Sequence, residues 1–276
     1  MNMREVLQVV RQSDVGKQRE HNEDAIASDA SFGLLVLADG MGGYKAGEVA
    51  SDLAVLTIVA TLVEALKNQT DDIMQQIATF DVKMAIKAMN NAVKKANEVV
   101  YQISQNQPQC AGMGTTLVVC LLTDNKIVVG HIGDSRLYRL RHGVLQQMTE
   151  DHSLLQEQLN LGLITIEQAK YSNNKNLVTR ALGIEPQVEL EVHEHAVQVD
   201  DIYLLCSDGL SDLVDDEDIC FKAVELSTNL DLMAKNLIKM ANDNGGKDNI
   251  SVVIAKVTKA FPNQSSKLQR LLDWLK

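Results

Sequence analysis

Residues 34–43 read LLVLADGMGG, an aliphatic run that ends in Asp39 and is followed by glycines. A short apolar run bounded by turn residues is typical of a buried β-strand, and we expect Leu34–Leu37 to form one. Asp39 then stands at the end of that strand. Because Gly40 has no side chain, its carbonyl group can approach a ligand closely. The stretch therefore predicts a core strand that brings a carboxylate to one edge of a sheet.

Three further acidic motifs lie at the ends of apolar runs. They are Gly133-Asp134-Ser135-Arg136 after Ile127–Ile132, Ser207-Asp208-Gly209 after Ile202–Cys206, and Lys247-Asp248-Asn249-Ile250 before Ile250–Ala255. Aspartates at strand ends can converge at one edge of a sheet core, where their charges repel one another. Such an arrangement is tenable mainly around hard cations that prefer oxygen ligands. A single Asp-Gly pair is most often only a turn, but the four motifs together predict a metal-dependent hydrolase of phosphoesters.

The chemistry of that reaction suggests roles for the aspartates. Hydrolysis of a phosphate monoester needs an activated water, neutralised phosphoryl oxygens and in-line geometry, and two divalent cations about 3.5–4 Å apart supply much of this. Asp39 is our candidate for the carboxylate that bridges the two cations. Asp208 and Asp248 are candidates to complete the ligand shell of one of them. The glycines after Asp39 do not form a phosphate-binding P-loop, because the sequence lacks that motif's lysine.

The run from Arg19 to Asp24 supplies positive charge as well as further carboxylates. Arg19 can offer two parallel hydrogen bonds to phosphoryl oxygens. Asp24 can join the metal site directly or through water. Glu23, beside it, can accept a hydrogen bond from metal-bound water. Taken alone, this run is typical of a solvated loop, so its importance depends on the other motifs.

The pattern of apolar residues predicts an α+β fold. The predicted strands are Val6–Asp14, Ala25–Ser28, Phe32–Leu37, Thr115–Leu122, Lys126–Ile132, Leu137–Leu140, Val144–Met148, Val188–Val192, Ile202–Cys206 and Ile250–Val257. The predicted helices are Ala46–Lys67, a segment with one apolar face from Val82 to Val100, Asp216–Leu226 and Leu230–Asn242. Because the helices come in pairs, the order favours antiparallel sheets packed face to face with helix pairs outside, rather than a parallel sheet.

The domain organisation follows from the same pass along the chain. We expect a single catalytic domain over residues 1–257, with a polar excursion at about residues 151–183. Residues 258–276 form a polar tail with leucines at helical spacing, which either docks on the body or binds a partner. In the absence of a visible interface signal, we expect a monomer.

Composition excludes several classes of protein. The 276-residue chain has a net charge of −11, which argues against nucleic acid as a partner because phosphate backbones attract basic surfaces. Its four cysteines form no C-x-x-C pair, so we expect reduced and mostly buried thiols rather than disulfides or a zinc site. No signal peptide is apparent, and the longest apolar region, Val49–Leu66, contains several polar residues. The sequence therefore predicts a cytoplasmic protein without a membrane segment.

The ordered motifs resemble those of the metal-dependent protein phosphatases, the type 2C family, in its compact bacterial form. The residues that carry this resemblance are Arg19-x-x-Asn22-Glu23-Asp24, Ala38-Asp39-Gly40-Met41-Gly42-Gly43, Gly114-Thr115-Thr116, Gly133-Asp134-Ser135-Arg136, Ser207-Asp208-Gly209 and Asp248-Asn249. The resemblance implies a central β-sandwich flanked by helix pairs in four layers. It also implies two Mg²⁺ or Mn²⁺ ions and the hydrolysis of phosphoserine or phosphothreonine in proteins, opposing a serine/threonine kinase.

The resemblance further implies a role for each motif. Asp39 would bridge the metals and the Gly40 carbonyl would bind one of them, while Asp208 and Asp248 would bind the other. Arg19 would hold the phosphate, and Asp134 together with Asp208 would hold a weaker third metal. The excursion Asp151–Gly183 would be the mobile flap beside the site.

Three positions depart from the family pattern. Tyr44 follows the double glycine where bacterial relatives commonly have histidine, and Met41 stands where animal members have a histidine. Tyr171-Ser172 replaces the usual His-Pro of the flap. None of these positions is a predicted metal ligand. Among the histidines, His193 and His195 alternate on a strand-like run, where exposure is more probable than a second metal site, and His152 is the best candidate to modulate the main site.

Two other functions fit the same motifs. One is a phosphatase-like module that senses phosphopeptide or metal without efficient turnover, which the loss of an essential aspartate would favour; none is lost. The other is a phosphatase for small phosphometabolites, which would differ from a protein phosphatase only in the flap and the surface.

Overall fold

A computed structural model describes residues 3–43, 45–70, 81–170, 172 and 177–261, and two antiparallel sheets form its centre. The strands are β1 (Leu7–Asp14), β2 (Asp24–Asp29), β3 (Leu34–Met41), β4 (Gly114–Thr115), β5 (Leu117–Thr123), β6 (Lys126–Ile132), β7 (Arg136–Arg141), β8 (Val144–Gln147), β9 (Glu191–Ala196), β10 (Ile202–Cys206) and β11 (Ile250–Val257). The first sheet has the order β1-β11-β10-β7-β8, and the second has the order β2-β3-β5-β6-β9 with β4 paired to β3.

Two helical layers cover the outer faces of the sheets. The helices are α1 (Ala46–Thr70), α2 (Val82–Asn106), α3 (Leu154–Asn160), α4 (Ile166–Lys170), α5 (Asp208–Ser211), α6 (Asp216–Glu225) and α7 (Leu230–Asp243), with single 3-10 turns at Met3–Glu5 and Pro108–Cys110. α1 and α2 pack on the second sheet, whereas α6 and α7 pack on the first. The predicted sandwich with helix pairs outside is thus confirmed as a four-layer αββα arrangement.

The central strands are buried on both faces, which explains why they read as continuous apolar runs. In β3, Leu34 and Val36 pack toward α1 and α2. Leu35 and Leu37, which alternate with them, pack toward the other sheet. A strand with this environment needs an apolar residue at every position. Burial between the helices and the other sheet therefore explains the aliphatic run that precedes Asp39.

Residues in the left-handed region close two hairpins where the sequence predicts turns. Asp124 and Asn125 have φ values of 51° and 56° between β5 and β6, and His142 and Gly143 have 51° and 77° between β7 and β8. Two successive residues with positive φ match the right-handed twist of the flanking strands. Both turns fix the register of the strands that lead to the acidic motifs.

The predicted strand Val188–Val192 overlaps the observed strand β9 only at Glu191 and Val192, so its bounds are wrong. The observed strand β9 begins at Glu191 because its partner β6 ends at Ile132, opposite the segment that precedes Glu191. The apolar side chains of Val188 and Leu190 instead pack against the α1–α2 layer without a backbone ladder. Burial alone therefore produced the apolar pattern that predicted a strand there.

The predicted strand Thr115–Leu122 is divided in two by Thr116. The backbone N–H of Thr116 donates to the carbonyl oxygen of Asp39 at 2.8 Å, and this contact separates β4 from β5. The short helix α5, which starts at Asp208, lies in a region for which the sequence predicts no helix. Both deviations occur where the chain turns to present the acidic motifs.

By length and composition alone, helix α1 could span a membrane over Ala46–Lys67, and one third of that apolar stretch is buried. Its residues Ala50, Ala54 and Ile58 are fully buried against the second sheet and α2. We therefore assign α1 to the core of the sandwich. Tyr44, Tyr171 and the leucines of residues 262–276, for which the sequence suggests roles, lie outside the described residues.

Candidate metal centre

Asp24 and Asp39 are direct partners across the antiparallel strands β2 and β3. Directly opposed residues project on the same face of a sheet, so their carboxylates are neighbours. Two threonines hold the backbone at Asp39: Thr115 donates its hydroxyl to the Asp39 carbonyl oxygen at 2.8 Å, and the Asp39 N–H donates to the Thr116 hydroxyl oxygen at 3.0 Å. The Gly114-Thr115-Thr116 motif therefore positions Asp39.

Gly40 lies where β3 contacts the start of α1. A Cβ atom on Gly40 would lie 2.1 Å from the carbonyl oxygen of Gly47 and 2.7 Å from that of Glu23. The Gly40 N–H donates to the same Glu23 carbonyl at 3.0 Å. Only glycine fits where β3 crosses the start of α1. Packing therefore requires a glycine after Asp39, whether or not its carbonyl group binds a ligand.

Asp208 and Asp248 come from the neighbouring strands β10 and β11 of the other sheet. Asp208 is the first residue of α5, directly after β10 and Ser207, and Asp248 stands two residues before β11. A Cβ atom on Gly209 would lie 2.0 Å from the carbonyl oxygen of Asn249. This close packing of α5 on Asn249 explains the glycine after Asp208.

Asn249 connects the amino-terminal loop, residues 15–23, to this end of the sandwich. Its Oδ1 accepts from the Glu23 N–H at 2.7 Å. Its Nδ2 donates to the carbonyl oxygens of Val15 and His21, at 2.9 Å each. The loop that carries Arg19 is therefore held beside Asp248 by a single buried side chain.

A chain of hydroxyl groups links the two sheets beside Asp24. Ser207 donates to Oδ2 of Asp24 at 2.9 Å and accepts from the Ser251 N–H at 3.0 Å. The Ser251 hydroxyl lies 2.7 Å from that of Ser13. Sequence reasoning did not identify these serines as part of the site, because isolated serines near strand ends carry no specific signal.

Asp134 joins the group from the loop after β6. Gly133, with φ of 99°, makes the turn, and a Cβ atom there would lie 2.8 Å from the Thr116 side chain. Asp134 itself is buried. The guanidinium group of Arg136 forms two-pronged hydrogen bonds with Asp151, at 2.7–3.1 Å. This contact ties the start of the 151–183 excursion to the loop that carries Asp134.

We call these aspartates, Asp24, Asp39, Asp134, Asp208 and Asp248, the acidic centre. Burial and neighbouring negative charges raise the pKa of four of them, namely Asp24, Asp39, Asp134 and Asp208. Burial, followed by the charge of Asp24, Asp208 and Asp248, raises the pKa of Asp39 well above its usual range. Burial followed by the charge of Asp134 raises the pKa of Asp208 in the same way. Burial is also the main cause that raises the pKa of Asp24 and of Asp134 to about 6.

These carboxylates fit divalent cations. Oδ1 of Asp24 and Oδ1 of Asp208 are buried and have no hydrogen-bond partner among the described residues. Grouped carboxylate oxygens without neutralising partners are the ligands that Mg²⁺ and Mn²⁺ prefer. Asp212, one turn after Asp208, adds negative charge near both Asp208 and Asp134. Sequence reasoning missed Asp212, although its i+4 spacing from Asp208 was a visible signal.

Arg19 provides the positive charge of the site. Its Nη2 donates to Oδ2 of Asp248 at 2.7 Å, and about half of its side chain is exposed. The guanidinium group therefore lies at the solvent-facing side of the acidic centre. All seven residues that the sequence singles out for the site, including Gly40, lie at this one end of the sandwich.

Comparisons with known proteins agree with this geometry. The family model described as protein phosphatase 2C matches residues 13–249. The serine/threonine phosphatase stp of Listeria monocytogenes is 36% identical over 251 residues, covering 88% of this chain and 93% of the relative. The serine/threonine protein phosphatase PstP of Mycobacterium tuberculosis is 40% identical over 253 residues, covering 91% of this chain but 45% of that longer protein.

Solved structures are similar over nearly the whole chain. The catalytic domain of the serine threonine protein phosphatase PstP, solved in complex with two manganese ions, has a TM-score of 0.75 at 38% identity and covers 92% of this chain and 99% of its own. The serine/threonine phosphatase Stp1 from Staphylococcus aureus has a TM-score of 0.81 at 30% identity, with 94% and 98% covered.

Proposed function

The chain belongs to the protein phosphatase 2C family, and we propose that its acidic centre performs the metal-dependent hydrolysis of phosphoserine and phosphothreonine in proteins. The observation that carries this proposal is the convergence of five aspartates from both sheets. Burial and neighbouring carboxylates raise the pKa of Asp39 and Asp208, and Oδ1 of Asp24 and Oδ1 of Asp208 are buried with no partner among the described residues. Divalent cations remove that repulsion, which explains why the fold tolerates it.

We assign the cation ligands from the geometry of the aspartates. Asp39 is affected by the charge of Asp24 on its own sheet and by the charges of Asp208 and Asp248 on the other, so it is the candidate to bridge two cations. By analogy with the family, the Gly40 carbonyl would help to hold one cation, and Asp208 with Asp248 would hold the other. When bound, the two cations supply an activated water and neutralise the phosphoryl oxygens.

Arg19 is the group we propose to bind the phosphate. Its guanidinium is exposed and its one described ion pair is to Asp248, so the remaining N–H groups are free to donate to phosphoryl oxygens. By holding Arg19 beside the aspartates, Asn249 orients the substrate relative to the cations. Thr115 and Thr116 serve the reaction indirectly, because they fix the backbone that carries Asp39.

Several finer assignments are part of the proposal. Mg²⁺ or Mn²⁺ serves as the cation, and a weaker third ion binds at Asp134 and Asp208, where Asp212 adds charge. Residues 1–257 act as one catalytic domain, with residues 151–183 as a flap anchored through Asp151 to Arg136. We further propose a monomeric cytoplasmic enzyme that acts on phosphoproteins and opposes a serine/threonine kinase.

The test is to measure hydrolysis of a phosphothreonine peptide, p-nitrophenyl phosphate and a sugar phosphate, each with Mn²⁺ and then with excess EDTA. We expect Mn²⁺-dependent release from the peptide and from p-nitrophenyl phosphate, with much slower release from the sugar phosphate. Faster turnover of the sugar phosphate than of the peptide would identify a metabolite phosphatase. No release from folded protein would identify a binding module instead.

A further inference from the structure

A second group of ligating side chains lies at the β6–β9 edge of the sandwich. His131 on β6 and Glu191 on β9 are direct cross-strand partners, and His193 follows Glu191 on the same face of the sheet. One ligand atom each of His131, His152 and Glu191 falls within 4.8 Å of the others. None of the five aspartates of the acidic centre belongs to this group.

His131 carries a buried nitrogen that has a lone pair and no partner among the described residues. Its Nε2 lies 2.8 Å from the carbonyl oxygen of Glu150. A carbonyl oxygen only accepts, so Nε2 must carry the proton and donate. In the neutral ring Nδ1 is then unprotonated, and it is buried without a hydrogen-bond partner in the described part of the chain. The side chain is fully buried, and burial lowers the pKa of His131, which favours the neutral ring.

This is the arrangement of a metal-binding histidine. Histidines that ligate a metal through one nitrogen usually donate the N–H of the other to a carbonyl or carboxylate group, which fixes the tautomer and the ring orientation. The Glu150 carbonyl does this for His131 and leaves Nδ1 as the nitrogen that can bind an ion.

Glu191 is held in place by His152. The Gly133 N–H donates to Nδ1 of His152 at 3.1 Å, so the proton of that neutral ring lies on Nε2. Nε2 then donates to Oε2 of Glu191 at 3.1 Å. In this tautomer His152 has no nitrogen free for a metal, and we assign it an orienting role. The other oxygen of Glu191, Oε1, lies 2.7 Å from Nε2 of His193.

His193 is the most exposed histidine of the group. Its side chain is 45% exposed, and its ring centroid lies 6.4 Å from that of His131. Because the side chain is exposed, it can rotate so that Nε2 and Oε1 of Glu191 share an ion instead of a proton.

We propose that Nδ1 of His131, the Glu191 carboxylate and Nε2 of His193, together the edge site, bind a divalent transition ion of the Zn²⁺ class. Two imidazoles and one carboxylate form a ligand set that Zn²⁺ accepts, with water as the fourth ligand. Imidazole nitrogen favours Zn²⁺, Ni²⁺ or Cu²⁺ over Mg²⁺, so the ion differs from those expected at the acidic centre.

The test is a calorimetric titration of the full chain with Zn²⁺ in the presence of excess Mg²⁺. Any Zn²⁺ that enters the acidic centre binds equally in edge-site variants, so the difference between proteins reports on the edge site. We expect His193→Ala and Glu191→Gln each to weaken one Zn²⁺-binding event by at least about tenfold. His193 is exposed and Glu191 is partly exposed, so these variants are expected to fold, which circular dichroism checks.

His142→Asn is the matched control, since it removes an exposed histidine from a turn with φ of 51°, a conformation that asparagine tolerates. The visible spectrum of bound Co²⁺ provides a second readout, because nitrogen ligation in a four-coordinate site gives bands that an all-oxygen octahedral site does not. Wild-type Zn²⁺ affinity and an unchanged Co²⁺ spectrum in either edge-site variant would overturn the proposal. So would the absence of any Zn²⁺ binding in excess Mg²⁺.

Discussion

At the scale of single residues, Asn249 shows how one side chain holds two parts of the candidate site together. It is buried and makes three hydrogen bonds to the backbone of the amino-terminal loop. The motif Asp248-Asn249 therefore combines a carboxylate that we propose as a cation ligand with an amide that positions the loop of Arg19. The sequence suggests the importance of the pair, but the direction of these hydrogen bonds depends on a loop more than 200 residues away.

Asn249→Ala is expected to destabilise the protein by about 2–3 kcal/mol, because buried backbone groups lose their partners. It should also raise the KM for a phosphopeptide, since Arg19 is no longer held beside Asp248. Urea unfolding and steady-state kinetics measure the two effects. Asn236→Ala, which removes a partly exposed side chain on α7, is the control and should change neither. An unchanged stability of the Asn249 variant would contradict this role.

Gly40→Ala is a second test at this scale. The added methyl group would lie 2.1 Å from the Gly47 carbonyl oxygen, so β3 and the start of α1 must separate. Overpacking of this kind costs about 1–3 kcal/mol or more, and the displaced Asp39 should lower activity. Thermal unfolding is the measurement. Gly43→Ala is the matched control because nothing lies within 4 Å of its Cβ position, and equal melting temperatures for the two variants would show that the crossing is not tight.

The sequence predicted which aspartates converge where a motif has a local cause. Asp39, Asp208 and Asp248 could be identified because each borders a core strand and a small or turn-forming residue. The Ser207–Ser251–Ser13 chain could not be identified, because it depends on the pairing of β1 with β11. The edge site could not be predicted either, since His131, Glu191 and His193 come together only through the register of β6 and β9.

At the scale of elements, the apolar composition of the sequence predicts the buried strands of the sandwich but not the edge strand β9. β6, β10 and β11 have the predicted bounds because both faces of each are buried. The edge strand β9 carries charged residues and histidines, and among the described strands it pairs only with β6. Its position is therefore set by where β6 ends and not by its own apolar residues.

A buried ion pair links the end of β7 to the residue before β10, and its contribution to stability depends on pH. Arg141 donates to both oxygens of Asp201 at 2.6 Å, and the Asp201 side chain is fully buried. Burial alone would raise the pKa of Asp201, but the hydrogen bonds from Arg141 hold it below its usual range. A carboxyl with a depressed pKa in the folded state stabilises the protein above its unfolded pKa of about 4, and that stabilisation is lost as the pH falls through the folded value.

Asp201→Asn should therefore cost about 3 kcal/mol of unfolding free energy at neutral pH, because it leaves Arg141 unpaired. The difference from the wild type should shrink as the pH falls below about 4. Urea unfolding as a function of pH checks this. Asp200→Asn, at the exposed neighbouring position, serves as the control, and a difference that stays constant with pH would refute the assignment.

At the scale of the whole molecule, the acidic centre contains residues from both sheets. Asp24 and Asp39 belong to one sheet, whereas Asp208 and Asp248 adjoin strands of the other. Their mutual repulsion opposes the packing of the sandwich at this end unless cations are bound. Under the proposed function, the cations that catalysis requires would therefore also stabilise the fold.

Mass action then predicts that Mn²⁺ or Mg²⁺ stabilises the protein. At a cation concentration a hundredfold above Kd, the gain is about 2.7 kcal/mol, or roughly 5–10 °C in melting temperature for a chain of this size. Differential scanning calorimetry over a cation series measures it, and EDTA should reverse the shift. A melting temperature that responds to neither cation nor chelator would show that the carboxylates do not bind metal.

The most direct test of the acidic centre is Asp39→Asn, examined for both Mn²⁺ binding and turnover of a phosphothreonine peptide. We predict that the wild type binds at least two Mn²⁺ ions, that the variant loses Mn²⁺ affinity, and that its turnover falls by more than about 100-fold. Asp231→Asn, at an exposed position of α7, should retain both properties. Full Mn²⁺-dependent turnover by a folded Asp39→Asn variant would contradict the account.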